Sequence, residues 1–373
     1  MIITGLLLGA LLGFVLQRGR FCVTGAFRDV FVTRNTLWLT AFLLVIAVQA
    51  VGLAILTATG VVTPKVAPLP LLGVVIGGLI FGYAIVMAGG CATGTYYRAG
   101  EGLVGSWLAL IGYAGTSAAM KYGVLKPVND GLRGITVPAT TIHGTLGIAM
   151  WPLLVALVVG VGLAVRHHLR KPAVTLATLP PRRSGAMHLL LERRWHPFAT
   201  AVVIGLIAIA AWPLSTAAGR NGGLGITTPS ANLTSYLATA QPKYLDWGVM
   251  LVVGILAGSF IAAKAAGEFR VRVPDATIAV RSTIGGVLMG VGASLAGGCT
   301  IGNAMVETAQ FTWQGWISFA AFLLGTGLAA RVYIMGHRRS GGPVAASAPQ
   351  AAVGADVASG DGTPSRRAVL TRV

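Results

Sequence analysis

The sequence Ala88-Gly89-Gly90-Cys91 recurs 208 residues later as Ala296-Gly297-Gly298-Cys299. Each copy closes an apolar run that is punctuated by glycines, and each is followed within three residues by another glycine. The similarity extends upstream, because the apolar run that contains Trp38 aligns with the one that begins at Trp247. Duplicated membrane segments that are interrupted by glycine at the corresponding place are typical of the central site of a transporter.

The overall composition excludes an ordinary soluble domain. Hydrophobic residues make up 55% of the chain, charged residues 10%, and the mean hydropathy is +0.77. Soluble domains carry roughly a quarter of charged residues. The 52 glycines suit membrane helices that pack closely against one another. The chain is therefore predicted to be an all-α integral membrane protein.

Apolar runs predict about nine transmembrane helices. A full span needs about 20 residues, and several of the runs are shorter, so we expect some of them to be tilted or to stop partway across. The predicted helices are Ile2–Leu16, Leu37–Thr59, Leu69–Met87, Leu103–Met120, Leu146–Val165, Phe198–Trp212, Trp247–Ala263, Ile278–Leu295 and Trp316–Met335.

The net charge of +18 is concentrated outside these runs. Residues 166–196 hold seven Lys/Arg and one acid, and residues 337–373 hold five Arg and two Asp. Such segments are typical of cytoplasmic loops rather than of nucleic-acid binding, so no nucleic-acid partner is expected. With nine crossings, Met1 lies outside and the C-terminus is cytoplasmic. The four helices before the fifth and the four after the basic loop then have opposite orientations, which predicts an inverted repeat.

This topology divides the chain into four parts. Residues 1–165 form the first membrane repeat with a linking helix, residues 166–197 a basic cytoplasmic loop, and residues 198–336 the second membrane repeat. The tail 337–373 is rich in Ala, Gly, Ser and Pro and is predicted to be disordered.

Four segments between the crossings are too polar for lipid and too weakly charged for a plain surface loop. Irregular backbone at membrane depth is tolerated only where it packs in protein or lines a cavity. We therefore expect broken or re-entrant segments at Gln17–Arg34, Cys91–Gly102, Gly219–Asn232 and Cys299–Gln310.

Cys91 and Cys299 lie at the two predicted breaks. Gly89, Gly90, Gly297 and Gly298 let the backbone turn there and allow close approach. A thiol is a small, weak donor that can contact a soft anion without holding it tightly. Buried packing is the alternative role for such a cysteine. No cofactor is expected, and no metal, because five of the six His lie in the basic loop and tail.

Charged residues flank these breaks and admit two interpretations each. Arg20, Arg98 and Arg220 either raise the anion concentration at an entrance or lie at the membrane interface. Glu101 follows the first break at a distance similar to that of Glu307 from the second. These two acids either hold the loop or contact substrate or protons.

The sequence resembles the YeeE/YedE family of inner-membrane sulfur transporters. The resemblance rests on Arg20–Ala26, on Gly89–Gly94 with Arg98 and Glu101, on Gly219-Arg220 and Gly225–Pro229, and on Gly297–Asn303. It implies an hourglass-shaped protein in a cell inner membrane. A sulfur oxyanion, thiosulfate in the characterised members, passes a constriction lined by three cysteines that correspond to Cys22, Cys91 and Cys299. The contacts are weak S–H···S and S–H···O contacts without covalent capture. Some relatives act with a small cytosolic sulfur-carrier protein, which here would be a separate polypeptide.

These observations favour a transporter that imports thiosulfate or a similar small sulfur oxyanion. The alternatives are a transporter of another sulfur or selenium species, and a membrane thiol enzyme that takes sulfur as a persulfide. An enzyme of that kind needs a thiolate stabilised by a cation or by a helix N-terminus. The end of an apolar helix disfavours a thiolate, so only the segment after each Ala-Gly-Gly-Cys sequence could supply that stabilisation.

The predicted topology is testable with reporter fusions at residue 180 and at Val373. Both reporters are expected to signal a cytoplasmic location, because orientation follows the Lys/Arg excess in short loops. A periplasmic signal from either fusion would contradict the inverted arrangement of the two halves.

Overall fold

The computed structural model describes residues 2–171, 185–193 and 195–335, and every regular element in these ranges is helical. Extended pairing there is limited to isolated bridges, such as Leu69 with Val137. The predicted all-α fold is confirmed. The predicted disordered tail, 337–373, lies outside the described residues.

The helices before residue 171 include all five long runs predicted in that region. They are α1 (Ile2–Gly19), α2 (Val23–Val32), α3 (Leu37–Ala58), α4 (Leu71–Met87), α5 (Ala92–Gly100), α6 (Val104–Tyr122), α7 (Lys126–Gly134), α8 (Ile142–Leu146) and α9 (Met150–Leu169).

The later helices include the other four predicted runs. They are α10 (Gly185–Met187), which continues as a π-helical turn at His188–Glu192, α11 (Pro197–Ala217), α12 (Thr227–Thr239), α13 (Trp247–Ala265), α14 (Ala276–Ala296) and α15 (Trp313–Ala330). A π-helical turn at Gly302–Glu307, called the π turn below, follows α14, and another at Arg331–Met335 extends α15. A 3₁₀ turn at Pro242–Tyr244 precedes α13.

Eight helical segments of the described residues are long and apolar enough to span a membrane. Helix α6, the fourth predicted crossing, has 19 residues but is more polar than these eight, because it carries Lys121 and several hydroxyl side chains. Its length corresponds to about 28 Å at 1.5 Å per residue, close to the thickness of the hydrocarbon core. The count of nine crossings stays a prediction.

The four polar segments become short helical pieces that follow breaks in the long helices. Helix α1 breaks before α2, α4 before α5, α11 before α12, and α14 before the π turn. Each half therefore has the same order of elements: long, short, long, long, short, long. This order makes α1–α6 the counterparts of α11, α12, α13, α14, the π turn and α15.

The contacts between the two halves are reciprocal under this correspondence. Helix α1 packs on α13 and α11 on α3, while α4 packs on α15 and α14 on α6. The short pieces follow the same rule, since α2 packs on α15 and α12 on α6, and α5 packs on α13 and the π turn on α3. A two-fold relation between the halves produces this pattern.

Counterpart helices also run in opposite directions. Gly19 at the end of α1 lies against Thr200 in the first turn of α11, so these two helices are antiparallel. Gly73 near the start of α4 faces Leu295 near the end of α14, and Gly285 of α14 faces Ala88 after α4. These contacts support the inverted repeat, which itself stays a prediction.

Glycines bring α1 and α13 into backbone contact along their length. Gly5 of α1 lies against Trp247 and Gly13 against Ile255, so the two helices are parallel and in register. On the other side of the interface, a Cβ at Gly258 would lie 2.6 Å from the Cα of Ala10. Small residues allow this close approach, which drives helix association where lipid removes the hydrophobic contribution.

Replacing Gly258 with Ala is expected to lower the midpoint of thermal unfolding of the purified protein. The added methyl group must push α1 away from α13, a type of overpacking that costs about 1–3 kcal/mol. Gly162→Ala is the matched control, because no atom lies within 4 Å of the corresponding Cβ on α9. Equal midpoints for the two variants would contradict the close packing of α1 on α13.

Candidate functional site

Three of the four short pieces begin at equivalent points of the repeat. Cys22, Cys91 and Ile226 directly precede α2, α5 and α12. Their carbonyl groups accept the first helical hydrogen bonds, for example from the amide of Thr95 to Cys91 at 2.8 Å. The carbonyl of Cys299 accepts in the same way from the amide of Asn303, also at 2.8 Å. Ile226 therefore occupies in the second half the place that Cys22 has in the first.

Cys91 caps the N-terminus of α5 with its sulfur. The Sγ atom accepts a hydrogen bond from the amide of Gly94 at 3.4 Å. The preceding turn depends on Gly89, whose φ of +73° strains any residue with a side chain. Gly297 has the same role at the second break, with a φ of +86°. The sequence left open whether the segment after Ala-Gly-Gly-Cys supplies a helix N-terminus, and at Cys91 it does.

The second glycine of each break faces polar atoms. A Cβ at Gly90 would lie 3.5 Å from Nη1 of Arg98, and a Cβ at Gly298 would lie 3.1 Å from Oδ1 of Asn303. Both glycines are buried, and a side chain at either position would contact these polar atoms.

The three thiols lie close together. Gly94 separates two of them, since a Cβ there would lie 3.4 Å from Sγ of Cys91 and 3.8 Å from Sγ of Cys22. The Cys91 thiol interacts electrostatically with Cys22 and Cys299. Cys91 is 2% exposed and Cys299 is fully buried, whereas Cys22 is half-buried. All three are free cysteines.

Hydroxyl groups from the second half surround the buried thiols. Thr300 interacts with Cys91, and Thr227 interacts with Cys299. The side chain of Thr300 is buried, and apart from the contact with Cys91 its Oγ1 has no hydrogen-bond partner among the described residues. A hydroxyl beside a thiol supplies a weak donor in the middle of the protein.

Arg98 joins the two breaks of the first half. Its Nη2 donates to Sγ of Cys22 at 3.6 Å, and its Nη1 donates to the carbonyl of Gly89. Arg98 therefore holds the loop and places a positive charge directly beside a thiol. The two interpretations of Arg98, attraction of anions to an entrance and a position at the membrane interface, stay predictions.

Arg20 and Arg220 lie near opposite ends of α13 and cannot line one entrance. Arg220 lies next to Gly248 in the first turn of α13, whereas Arg20 pairs with Glu268 just after the helix ends. The 19 residues of α13 separate these points by about 28 Å. The two ends are called the Arg220 end and the Arg20 end below.

A cavity of about 140 Å³ opens at the Arg220 end. Its lining runs from Arg220 and Glu307 to residues adjacent to Cys299 in sequence or in space, namely Gly298, Ile226 and Thr227. The full lining is Arg220, residues 222–229, Gly297, Gly298, Gly302, Asn303, Val306 and Glu307.

The cations at this end lack ion-pair partners. Among the described residues, no carboxylate lies within 4.0 Å of Arg220, Lys121 or Arg133. Nη1 of Arg220 is buried without a hydrogen-bond partner. Lys121 donates to Oγ1 of Thr228 at 2.5 Å, and Arg133 to the carbonyl of Leu295 at 2.9 Å. Partly buried cations with spare donors are suited to an incoming anion.

Two arginines at the Arg20 end form ion pairs with carboxylates. Arg20 forms ion pairs with Glu101 at 3.2 Å and with Glu268 at 2.8 Å. Arg18 forms a second ion pair with Glu268 at 3.2 Å. Glu101, which is 5% exposed, thus joins the end of α5 to the end of α1. The loop-holding role considered for Glu101 agrees with this contact.

A comparison with known proteins identifies the family. The family described as "Sulphur transport" matches residues 18–328. The chain belongs to this family, as the YeeE/YedE motifs predicted. The thiosulfate transporter TsuA of Escherichia coli K12 is 53% identical over 341 residues, which cover 91% of this chain and 97% of that protein.

Two less similar relatives are also named as transporters. TsuA of Spirochaeta thermophila, also named a thiosulfate transporter, is 33% identical over 340 residues, 87% of this chain and 97% of that protein. The probable transporter YedE of Escherichia coli K12 is 39% identical over 120 residues, 31% of this chain and 29% of that protein.

Several residues of the site were missed by the sequence analysis. Lys121 and Arg133 were not singled out, although a lone lysine in an apolar helix is a functional signal in a membrane protein. Glu268 and Thr300 have no such signal, because only the fold brings them to Arg20 and Cys91. In the described part of the chain, no group of three or more His, Cys, Asp or Glu side chains is arranged to hold a metal ion.

Cys22 is expected to react with N-ethylmaleimide at least about tenfold faster than Cys91 and Cys299, because reaction needs access to the sulfur. Purified full-length protein is treated for increasing times, and the modified cysteines are quantified by peptide mass spectrometry. Unfolded protein is the control, in which all three should react at similar rates. Equal rates in the folded protein would contradict the burial of Cys91 and Cys299.

Proposed function

We propose that this protein imports thiosulfate through the bacterial inner membrane along a path lined by Cys299, Cys91 and Cys22. The observation that carries the proposal is the meeting of three free thiols at the breaks of the repeat. The names of the two full-length relatives supply the substrate, and the positive-inside rule predicts that the cavity at the Arg220 end faces outside, where an imported anion enters.

The path connects the two ends of the molecule through the thiols. The cavity at the Arg220 end reaches the residues around Cys299. The Cys91 thiol interacts electrostatically with both Cys299 and Cys22. Cys22 follows Arg20 by two positions in the sequence. In the predicted topology the Arg220 end is outside and the Arg20 end is cytoplasmic.

The uncharged donors in the middle of the protein suit the passage of a polarisable dianion. Conduction requires contacts that replace part of the hydration shell but remain weak enough for release. Thiols and the Thr300 hydroxyl are neutral, weak donors, and the N-terminus of α5 adds an oriented amide at Gly94. The terminal sulfur of thiosulfate is polarisable, as a thiol is, so S–H···S contacts can form alongside S–H···O contacts.

One observation also favours the alternative of a thiol enzyme. The amide that donates to Sγ of Cys91 would stabilise a thiolate as well as a bound oxyanion. The two functions differ in their reaction with a charged thiol reagent. A transport path predicts slow reaction of Cys91 and protection by thiosulfate, whereas a poised nucleophile predicts rapid reaction at neutral pH. A separate cytosolic sulfur carrier would receive the substrate at the Arg20 end.

Cys91→Ala and Cys299→Ala are each expected to abolish thiosulfate uptake, or to reduce it by at least about tenfold, while membrane expression is kept. Removing either thiol takes a donor from the narrowest part of the path, and each lost contact of about 1.4 kcal/mol is a factor of ten. Cys22→Ala should impair uptake less, because the equivalent position in the second half is Ile226. Uptake is measured with radiolabelled thiosulfate in cells that lack other sulfur-oxyanion importers. Normal uptake by both variants would overturn the proposed role of the thiols.

Arg220→Gln is expected to raise the KM for thiosulfate several-fold and to leave expression unchanged. The substitution removes a partly buried cation that has no ion-pair partner among the described residues, so the local concentration of the anion in the cavity falls. Lys243→Gln is the matched control, because Lys243 is an exposed cation in the turn before α13 and does not line the cavity. The same change in KM for both variants would show a general effect of surface charge.

A further inference from the structure

Three donors converge on one carboxylate oxygen at the Arg20 end. Oε2 of Glu268 lies 2.8 Å from Nη2 of Arg20, 3.2 Å from Nη1 of Arg18 and 2.8 Å from Nε2 of Gln17. All three donors come from the end of α1 or from the break directly after it. Glu268 comes from the other half of the protein, in the link between α13 and α14.

The donors are held in place by contacts other than Glu268. Arg18 is 4% exposed, and its Nε donates to the carbonyl of Leu190 at 3.1 Å. Arg20 also pairs with Glu101 at 3.2 Å. Gln17 is fully buried in the last turns of α1. The three donors therefore form a preorganised site for an anionic oxygen, whichever group supplies that oxygen.

Glu268 is the member of the cluster that can leave. Its backbone is fixed, because its amide donates to the carbonyl of Ala263 at 2.8 Å, but its side chain is 37% exposed. Rotation about the side-chain bonds moves the carboxylate into solvent without any change in the fold. Burial alone would raise the pKa of Glu268, but the charges of Arg20 and Arg18 and the bonds from Gln17 and Arg18 hold the pKa below its ordinary value. The carboxylate is therefore ionised at neutral pH.

We propose that Gln17, Arg18 and Arg20 form an oxyanion-binding site at the exit of the path, which the Glu268 carboxylate occupies until the substrate displaces it. This inference rests on the proposed function and assigns the step after Cys22. One residue separates Arg20 from Cys22, so their Cα atoms are at most about 7 Å apart. A sulfonate-type oxygen can accept the same bonds as a carboxylate oxygen.

Exchange of one anion for another keeps the arginines at the exit paired with a negative charge. A buried Arg18 without a partner would cost several kcal/mol, because its charge would be neither solvated nor paired. With Glu268 as a substitute, the arginines remain paired before, during and after passage. The return of Glu268 also displaces the substrate, so the site does not retain it.

Thiosulfate binding to Glu268 variants tests the proposal. The full-length protein carries Arg220→Gln, so that binding at the other end is weakened, and is titrated with radiolabelled thiosulfate in detergent. Adding Glu268→Gln should lower the Kd about tenfold, because an intramolecular competitor at millimolar or higher effective concentration is removed. Adding Arg18→Gln to that variant should abolish the gain.

The matched control is Asp275→Asn, which removes the same charge from the same link. Asp275 is outside the cluster, so this variant should bind as its parent does. An equal gain for both substitutions, or no gain for Glu268→Gln, would overturn the proposal. If Glu268→Gln cannot be purified, Glu268→Asp replaces it. The shorter side chain withdraws the carboxylate, so an intermediate gain is expected, and no gain again overturns the inference.

The outcomes also separate this inference from the proposed function. Normal thiosulfate uptake combined with unchanged binding by the Glu268 variants would contradict the proposed exit site but not the proposed transport function. Absence of both thiosulfate binding and thiosulfate uptake by the unsubstituted protein would remove both proposals.

Discussion

Backbone groups at membrane depth have no water to bond with, so every break in a spanning helix must be completed by other parts of the chain. The breaks after α4 and α14 satisfy this constraint with side chains. Arg98 donates to the carbonyl of Gly89, Arg133 to Leu295, and Nδ2 of Asn303 to Ala296 at 2.7 Å. Two of these three donors are cations. The side chains that complete the backbone at the breaks thus also place positive charge there.

The repeated framework carries different charges at its two ends. At the Arg220 end, cations line or border a cavity without ion-pair partners. At the Arg20 end, two arginines are neutralised by Glu101 and Glu268. A symmetric backbone therefore carries different side-chain contacts at its two ends.

The sequence predicted those features that depend on local pattern. Long apolar runs located all nine long helices to within a few residues at most ends, and the glycines and cysteines of Ala-Gly-Gly-Cys located both breaks. The short helices α2, α5 and α12 were anticipated only as irregular segments, because they have at most 13 residues and only α5 has a side-chain cap, from Cys91. Glu268 was missed, since its role exists only after the link between α13 and α14 folds against α1.

The sequence also could not assign the arginines to particular ends. Arg20 and Arg220 have the same neighbour, a preceding glycine, in corresponding segments. Their separation follows from the direction of each helix, and that is a property of the assembled bundle. The contacts of Arg98 with Gly89 and Cys22 could not be predicted either, because only folding creates them.

The parallel contact between α1 and α13 has a consequence for biosynthesis. Nε1 of Trp247 bonds to Oγ1 of Thr4, a partner that precedes it by 243 positions. Helix α1 leaves the ribosome long before α13, so the glycine-lined face of α1 remains without this partner until α13 has been translated. Contacts so distant in sequence form late and slowly. The N-terminal half therefore has no finished structure of its own, and release of a truncated chain leaves its first helix without its main partner.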